Sequence, residues 1–328
     1  RAKPGQDPYD VLLESYEEGF DQAVLDPFFA ALRRELVPLL ERVLPALPEC
    51  PPPLFCEEEQ QQSANRWLAE YIGFDFERGV MAESEHPFTT ALHNRDVRIT
   101  THYYPQEPER SLFSILHEGG HGIYEQGFAD DLTLTPAGTA SCAMHESQSR
   151  FFENMVGRSA AFWKPIYSAL QERMPAYREI PLEDFIRRIN RPGRSLIRIE
   201  ADELTYSLHI MVRYELEKAL FSGELEVEEL PAAWNQKYEE YLGITPPDDA
   251  LGVLQDIHWA QGLFGYFPSY AVGSAIAAQL WDAIQRQFPA EEALAEGDLS
   301  PVRSFLKEHI HRHGILRSTD ELLRETTG

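Results

Sequence analysis

Along "DPFFAALRRELVPLLERVL" (26–44), apolar residues recur at 28, 29, 32, 36, 39, 40 and 43, the three-and-four spacing of one helical face. The prolines of "CPPPLF" (50–55) close that pattern in a loop, and "CEEEQQQSANRWLAEYIGFDF" predicts a second helix that turns at Gly73. In "RDVRITTHYY" (95–104) the period changes. Val97, Arg98, Ile99 and Thr100 alternate and are rich in β-branched residues, which makes this the strand candidate. From Glu109 onward the helical segments lengthen: "ERSLFSILHEGGHGIYEQ", "PAGTASCAMHESQSRFFENMVG", "RSLIRIEADELTYSLHIMVRYELEKALF" and "LPAAWNQKYEEYLG". Thr135 is the expected N-cap of the second of these, with Pro136 in its first turn. The sequence contains no internal repeat, low-complexity tract or long linker. The expectation is a mainly α single domain over 1–328 with a small β-sheet.

Composition narrows the partners. The 328 residues carry 54 acids against 29 bases, a formal charge of −25. Such a field repels phosphate backbones, so no nucleic-acid partner is expected. No apolar run approaches the roughly 20 residues that span a bilayer, so no membrane partner is expected either. "RAKPGQDPYD" is hydrophilic, unlike a signal peptide, and has no initiator Met, which suggests processing, truncation or an incomplete record. With no targeting signal, the expected location is cytoplasmic. The three cysteines, Cys50, Cys56 and Cys142, are odd in number and lack thiolate-metal spacing, so free thiols are expected.

The chemistry concentrates in "LHEGGHGIYEQG" (116–127). Residues i and i+4 share a helical face, so the imidazoles of His117 and His121 can converge on one divalent ion. Glu118 beside them can act as general base on a metal-activated water. Gly119 and Gly120 each cost a helix about 1 kcal/mol relative to Ala, a cost that close approach of another backbone or of substrate would explain. A catalytic zinc site needs a third protein ligand. Glu125 lies about 12 Å along the axis from His117 and cannot share an ion with it. The extended HExxHxxGxxH pattern is excluded, because Tyr124 and Gly127 stand where Gly and His are required. "AMHESQSRFF" offers Glu146, 25 residues after His121, on a helix that can return antiparallel. Its neighbour His145 is turned about 100° away, as a supporting or substrate-facing residue.

Six motifs then occur in order: "HPF" (86–88), "DVRIT" (96–100), "HEGGH" (117–121), "HESQ" (145–148), "IRIEAD" (197–202) and "GVLQDIHW" (252–259). With them the sequence resembles the carboxypeptidase Taq family of zinc metallocarboxypeptidases across essentially its whole length. The resemblance implies a helical zincin-type metallopeptidase domain with its small β-sheet beside the HExxH helix. It also implies removal of single residues from peptide C-termini with broad specificity, and a homodimer. It carries the metal ligands over to His117, His121 and Glu146, and the general base to Glu118. The cofactor is one divalent ion, zinc first, with cobalt or manganese as alternatives. Two departures stand out. The family's helical segment before the "PYD" region is absent, and the interval from His121 to Glu146 is one residue short.

An enzyme acting at a free C-terminus must hold a carboxylate, which suits the planar fork of arginine. Arg198 and Arg98 are the candidates, weighed against buried pairing of Arg198 with Glu200 or Asp202 and local pairing of Arg98 with Asp96. His258 with Tyr266 or Tyr270 could donate to the tetrahedral oxyanion. We assign His258 and Tyr266 to the reaction and Tyr270 to substrate binding. Gly262 and Gly265 would let that segment bend, and either tyrosine could instead be core. His86, made extended by Pro87, could line the cleft. Asp202 and Asp256 could orient the ligand imidazoles or serve in ordinary helix pairing. "HIHRH" (309–313) reads as solvated. The rival readings are an aminopeptidase or endopeptidase of the same class, and a non-catalytic peptide-binding relative.

Overall fold

The computed structural model describes residues 5–328; residues 1–4, the start of the hydrophilic N-terminus, lie outside it. In chain order the elements are α1 (Pro8–Tyr16), α2 (Gln22–Val43), α3 (Glu58–Ile72), β1 (Gly79–Glu83), β2 (Thr89–His93) and β3 (Asp96–Thr101). Then follow α4 (Pro108–Gly127), α5 (Cys142–Arg150), α6 (Ala160–Trp163), α7 (Tyr167–Arg173) and α8 (Leu182–Ile189). The last are α9 (Tyr206–Ser222), α10 (Leu230–Leu242), α11 (Pro268–Gln287), α12 (Ala290–Ala295), α13 (Ser300–His309) and α14 (Thr319–Thr327). The protein is mainly helical with one small sheet, as expected. None of the described helices is long and apolar enough to cross a membrane. None of the three cysteines is joined in a disulfide.

The chain divides into two compact units. Unit one comprises the chain up to Cys50 together with Asn190–Val272. Its core gathers Tyr9, Leu13, Leu25 and Phe29 around the α9 residues Leu208, Met211 and Val212, with Trp234 and Tyr238 of α10. The helix expected to start near Arg194 begins only at Tyr206. Asp202 is the reason. Its carboxylate accepts from the backbone N–H groups of Gly193, Leu204 and Thr205 and from the Thr205 hydroxyl, satisfying donors a helix leaves open at its start. Arg198 therefore sits on a separate 3-10 turn, Arg198–Glu200.

Unit two comprises Pro51–Ile189 and Gly273–Gly328. Glu57 and Gln60 form a capping box at the start of α3, and Gly73 ends it with φ 115°, as the turn reading anticipated. The sheet runs β1-β3-β2, with β1 parallel and β2 antiparallel to β3. Val97 and Ile99 of β3 are fully buried, while Arg98 between them faces outward. Helix α4 is buried around most of its circumference, as expected of a central helix. The helix expected from Thr135 starts instead after Ser141, whose hydroxyl accepts from the Met144 N–H. Thr135 closes a local turn, accepting from Ala137 N–H and donating to the Leu132 carbonyl. The "HIHRH" stretch is not uniformly solvated. His311 is 1% exposed, and its Nε2 pairs with Gln148 Oε1 at 2.9 Å.

Candidate metal centre

Helices α4 and α5 meet closely because one residue at the crossing has no side chain. A Cβ on Gly120 would lie 2.6 Å from the Gln148 carbonyl oxygen and 2.8 Å from Ser149 Cα. Gly119 gives the same room to Ile72 of α3. A third glycine, Gly273, leaves space for Glu146, whose Cβ and Cγ lie 2.8 Å from where its Cβ would stand. The close approach of another backbone, one of the two reasons anticipated for Gly119–Gly120, is thus found at Gly120, while Gly119 makes room for the Ile72 side chain. These contacts account for the helix propensity given up there.

This packing joins the three residues expected as ligands. Glu146 Oε2 lies 3.7 Å from His117 Nε2 and 3.5 Å from His121 Nε2. All three ligand atoms fall within 4.8 Å of one another. Bonds of 2.0–2.1 Å in a tetrahedron place neighbouring ligand atoms about 3.3 Å apart, a spacing that the two carboxylate–imidazole separations already approach. Two imidazoles and one carboxylate are also the donor chemistry of a catalytic zinc site. Among the described residues this is the one His/Cys/Asp/Glu group with that convergence.

The surrounding hydrogen bonds decide where the imidazole protons sit. His117 Nδ1 lies 2.8 Å from Glu153 Oε2, so it donates there and leaves the Nε2 lone pair for the ion. His145 Nε2 lies 2.8 Å from Glu125 Oε1 and donates to it. Its Nδ1 is then an acceptor, 2.6 Å from His121 Nδ1, and His121 in turn presents Nε2 as a lone pair. Burial and neighbouring His145 push the His121 pKa down to about 3, keeping that ring neutral. Burial also opposes a charge on His117, but Glu146 and Glu153 outweigh it and raise its pKa.

Arg150 ties the acids together. Its Nε donates to Glu146 Oε1 at 2.8 Å and its Nη1 to Glu153 Oε2 at 3.0 Å. Burial opposes both negative charges, yet His117 and Arg150 hold Glu146 well below the usual carboxylate range. Arg150 and His117 likewise bring Glu153 down to about 2. Glu118 is 7% exposed, and burial raises its pKa against the pull of His117 and Thr89. The Thr89 hydroxyl donates to Glu118 Oε2 at 2.6 Å.

Sequence reasoning missed Glu153, Arg150 and Thr89, and saw Glu125 only as a rejected ligand. A signal for the first two existed: Glu146, Arg150 and Glu153 recur at i, i+4 and i+7 on one face. Glu153 sits in a π-helical turn, Phe151–Val156, a geometry that favours functional positions. Asp202 and Asp256 do not take the imidazole-orienting role: Asp202 caps the approach to α9, and Asp256 pairs with arginines.

Of the remaining candidates in unit two, Arg98 stands on the outward face of β3 in a two-pronged pair with Asp96, 2.9 and 3.0 Å. That face is opposite the one carrying Ile99, which packs toward Gly122 of α4. His86 is on the exposed β1–β2 loop, three residues before Thr89.

Unit one holds a second cluster. Arg198 is 5% exposed, with Nε and Nη2 on Asp256 Oδ1 at 3.0 and 2.8 Å and Nη1 on the Tyr206 hydroxyl. Arg213 takes the other carboxylate oxygen of Asp256. The buried carboxylate that holds Arg198 is thus Asp256. Its guanidinium also lies 4.8 Å from the Tyr270 ring centre, and Tyr270 Oη pairs with His258 Nε2 at 3.0 Å. The His258 and Tyr266 rings are 5.5 Å apart, centre to centre.

Comparison with known proteins agrees with this geometry. The model of the Carboxypeptidase Taq (M32) metallopeptidase family matches residues 1–328. Carboxypeptidase 1 of Bacillus subtilis is 45% identical, covering 98% of this chain and 65% of its own length. Thermostable carboxypeptidase 1 of Thermus thermophilus is 41% identical, covering 99% and 66%. The crystal structure of the M32 carboxypeptidase from Deinococcus radiodurans R1 superposes with a TM-score of 0.94 at 38% identity, covering 98% of this chain and 66% of that one. The chain thus spans about two thirds of the length of the relatives it matches. With the HExxH pair, the downstream glutamate and the matched family model in agreement, the chain belongs to the M32, or carboxypeptidase Taq, family of metallopeptidases.

Proposed function

We propose that this chain hydrolyses the last peptide bond of peptides with a free C-terminus, as a metallocarboxypeptidase of broad specificity. The observation that carries the reading is the convergence of His117, His121 and Glu146 beside a buried Glu118, in a chain whose relatives bear the name carboxypeptidase. The three ligands suit one divalent ion, and zinc is proposed because neutral imidazoles and a carboxylate in a three-ligand set match its catalytic sites. When bound, the ion would activate water and polarise the scissile carbonyl. To Glu118, held by Thr89, we assign the role of accepting a proton from the attacking water and returning it to the leaving amine. For Arg198 we propose the hold on the substrate carboxylate, through the guanidinium edge that Asp256 leaves to Tyr206, and for Tyr270 the flank of that hold. His258 and Tyr266 are proposed as donors to the oxyanion. A homodimer belongs to the same proposal, and light scattering on the eluting peak checks it.

The zinc-loaded chain would be incubated with a peptide, its C-amidated twin and its N-acetylated twin, and the products read by mass spectrometry. Stepwise shortening from the C-terminus is expected, blocked by amidation and indifferent to acetylation. The Glu118→Gln variant is expected to lose turnover by about 10²- to 10⁴-fold while keeping its metal. Blocking by acetylation would make the protein an aminopeptidase, and internal cleavage of the amidated peptide an endopeptidase. Bound but uncut peptide would make it a binding relative.

A further inference from the structure

Glu217 on α9 has no exposed surface, a place where an ionisable side chain is costly to keep. Its contacts are with neutral donors. The Tyr9 hydroxyl donates to Oε2 at 2.7 Å, the Trp259 indole N–H to Oε1 at 2.6 Å, and the Gly265 backbone N–H to Oε2 at 2.9 Å. Burial pushes its pKa up to about 7, against the pull of these three donors and of the Arg213 charge.

Two of the donors bracket one loop. Trp259–Gln261 is a 3-10 turn closed by Gly262, and Gly262 and Gly265 have φ of 75° and 85°, open to glycine but strained for other residues. The residue before Trp259 is His258, and the residue after Gly265 is Tyr266. One carboxylate therefore grips the chain neighbours of both groups assigned to the oxyanion. At Gly265 the loop rests on the α1 backbone, where a Cβ would come within 3.0 Å of Leu12 C and Leu13 N. The third donor, Tyr9, comes from that same helix.

We propose that Glu217 is a positioning residue: by holding Trp259 and Gly265 at once, it sets the separation of His258 and Tyr266 for the peptidase reaction. This rests on the carboxypeptidase reading for its catalytic meaning. Only an acceptor-only group with two oxygens fits. An amide would turn an NH₂ toward either the indole or the Tyr9–Gly265 pair, and aspartate is one methylene short.

The test uses the zinc-loaded 328-residue chain as wild type, Glu217→Gln, Trp259→Phe and Tyr9→Phe. It reads steady-state kinetics, metal content, thermal melting and amide hydrogen exchange. Glu217→Gln and Trp259→Phe are expected to lower kcat about 10- to 100-fold, with KM held within about two-fold and metal content unchanged. Exchange is expected to accelerate over 258–266. Tyr9→Phe removes only the arm from α1, and is expected to melt earlier while keeping kcat. A Glu217→Gln protein that melts earlier yet keeps wild-type kcat and wild-type exchange over 258–266 overturns the proposal. If Glu217→Gln does not fold, Trp259→Phe carries the same test. Should wild type leave C-termini uncut, the peptidase reading falls and exchange alone decides the grip: unchanged rates in 258–266 refute it, and acceleration confined there sustains it.

Discussion

At the metal centre, each imidazole spends one nitrogen on a fixed partner so that the other is free for a cation. For His117 the partner is Glu153, itself oriented by Arg150; for His121 it is His145, oriented by Glu125. The two relays differ in strength. A carboxylate partner makes His117 the more electron-rich ligand, whereas an imidazole partner serves to fix the His121 tautomer. Glu153→Gln keeps the shape of the Glu153 relay and removes its charge. Zinc affinity, measured by chelator competition, is expected to weaken about 10- to 100-fold. The same measurement on Glu125→Gln is expected to show a smaller loss, because Glu125 acts one residue further from the ion.

At the scale of elements, the centre depends on how near α4 and α5 can lie. Gly120→Ala would drive a methyl into the Gln148 carbonyl oxygen, and overpacking of this kind costs about 1–3 kcal/mol. Because His121 and Glu146 flank that crossing, the variant is expected both to melt earlier and to bind zinc more weakly. A drop in melting temperature with intact zinc affinity would separate the crossing from the site. This geometry explains what was legible in the sequence. His117 and His121 are fixed by helical period, and Glu146 by the length of chain needed to return. The β3 strand and the α3 stop at Gly73 were legible because their signals are local. Other features depend on partners far along the chain. His311 is buried because Gln148 and the bare α4 end at Gly127 receive it, and neither is visible from "HIHRH". The late start of α9 has a local cause, the Asp202 carboxylate, but its signal lay inside an apolar run whose helical period looked continuous. Arg198 looked like an arginine on a helix seeking Glu200 or Asp202, when its partner stood 58 residues downstream.

At the scale of the whole molecule, the formal charge of −25 makes the few paired carboxylates matter to acid stability. Asp256, facing Arg198 and Arg213, is the example in unit one. Burial opposes its charge, yet the two guanidiniums hold its pKa well below the ordinary range. In the unfolded chain such a group titrates near about 3.9. As pH falls, the unfolded state therefore takes up the proton first. The stabilisation, complete at neutral pH, diminishes below about pH 4. The urea midpoint is expected to be lower at pH 3 than at pH 6. Asp256→Asn is expected to start lower and to change less over the same interval; an equal change in both would remove Asp256 from the cause.

Each unit is also assembled from two separated stretches of chain, and this bears on how the protein is made. Tyr9 and its partner Glu217 are 208 residues apart. At about 5–20 residues added per second, that interval lasts on the order of 10–40 s on the ribosome. For that time the apolar faces of α1 and α2 leave the exit tunnel with no α9 to receive them, a window in which a nascent chain is open to holdases and to aggregation. The set from His117 to Glu146, by contrast, is translated within a single run of 30 residues, so its metal ligands exist long before the first helix finds its core.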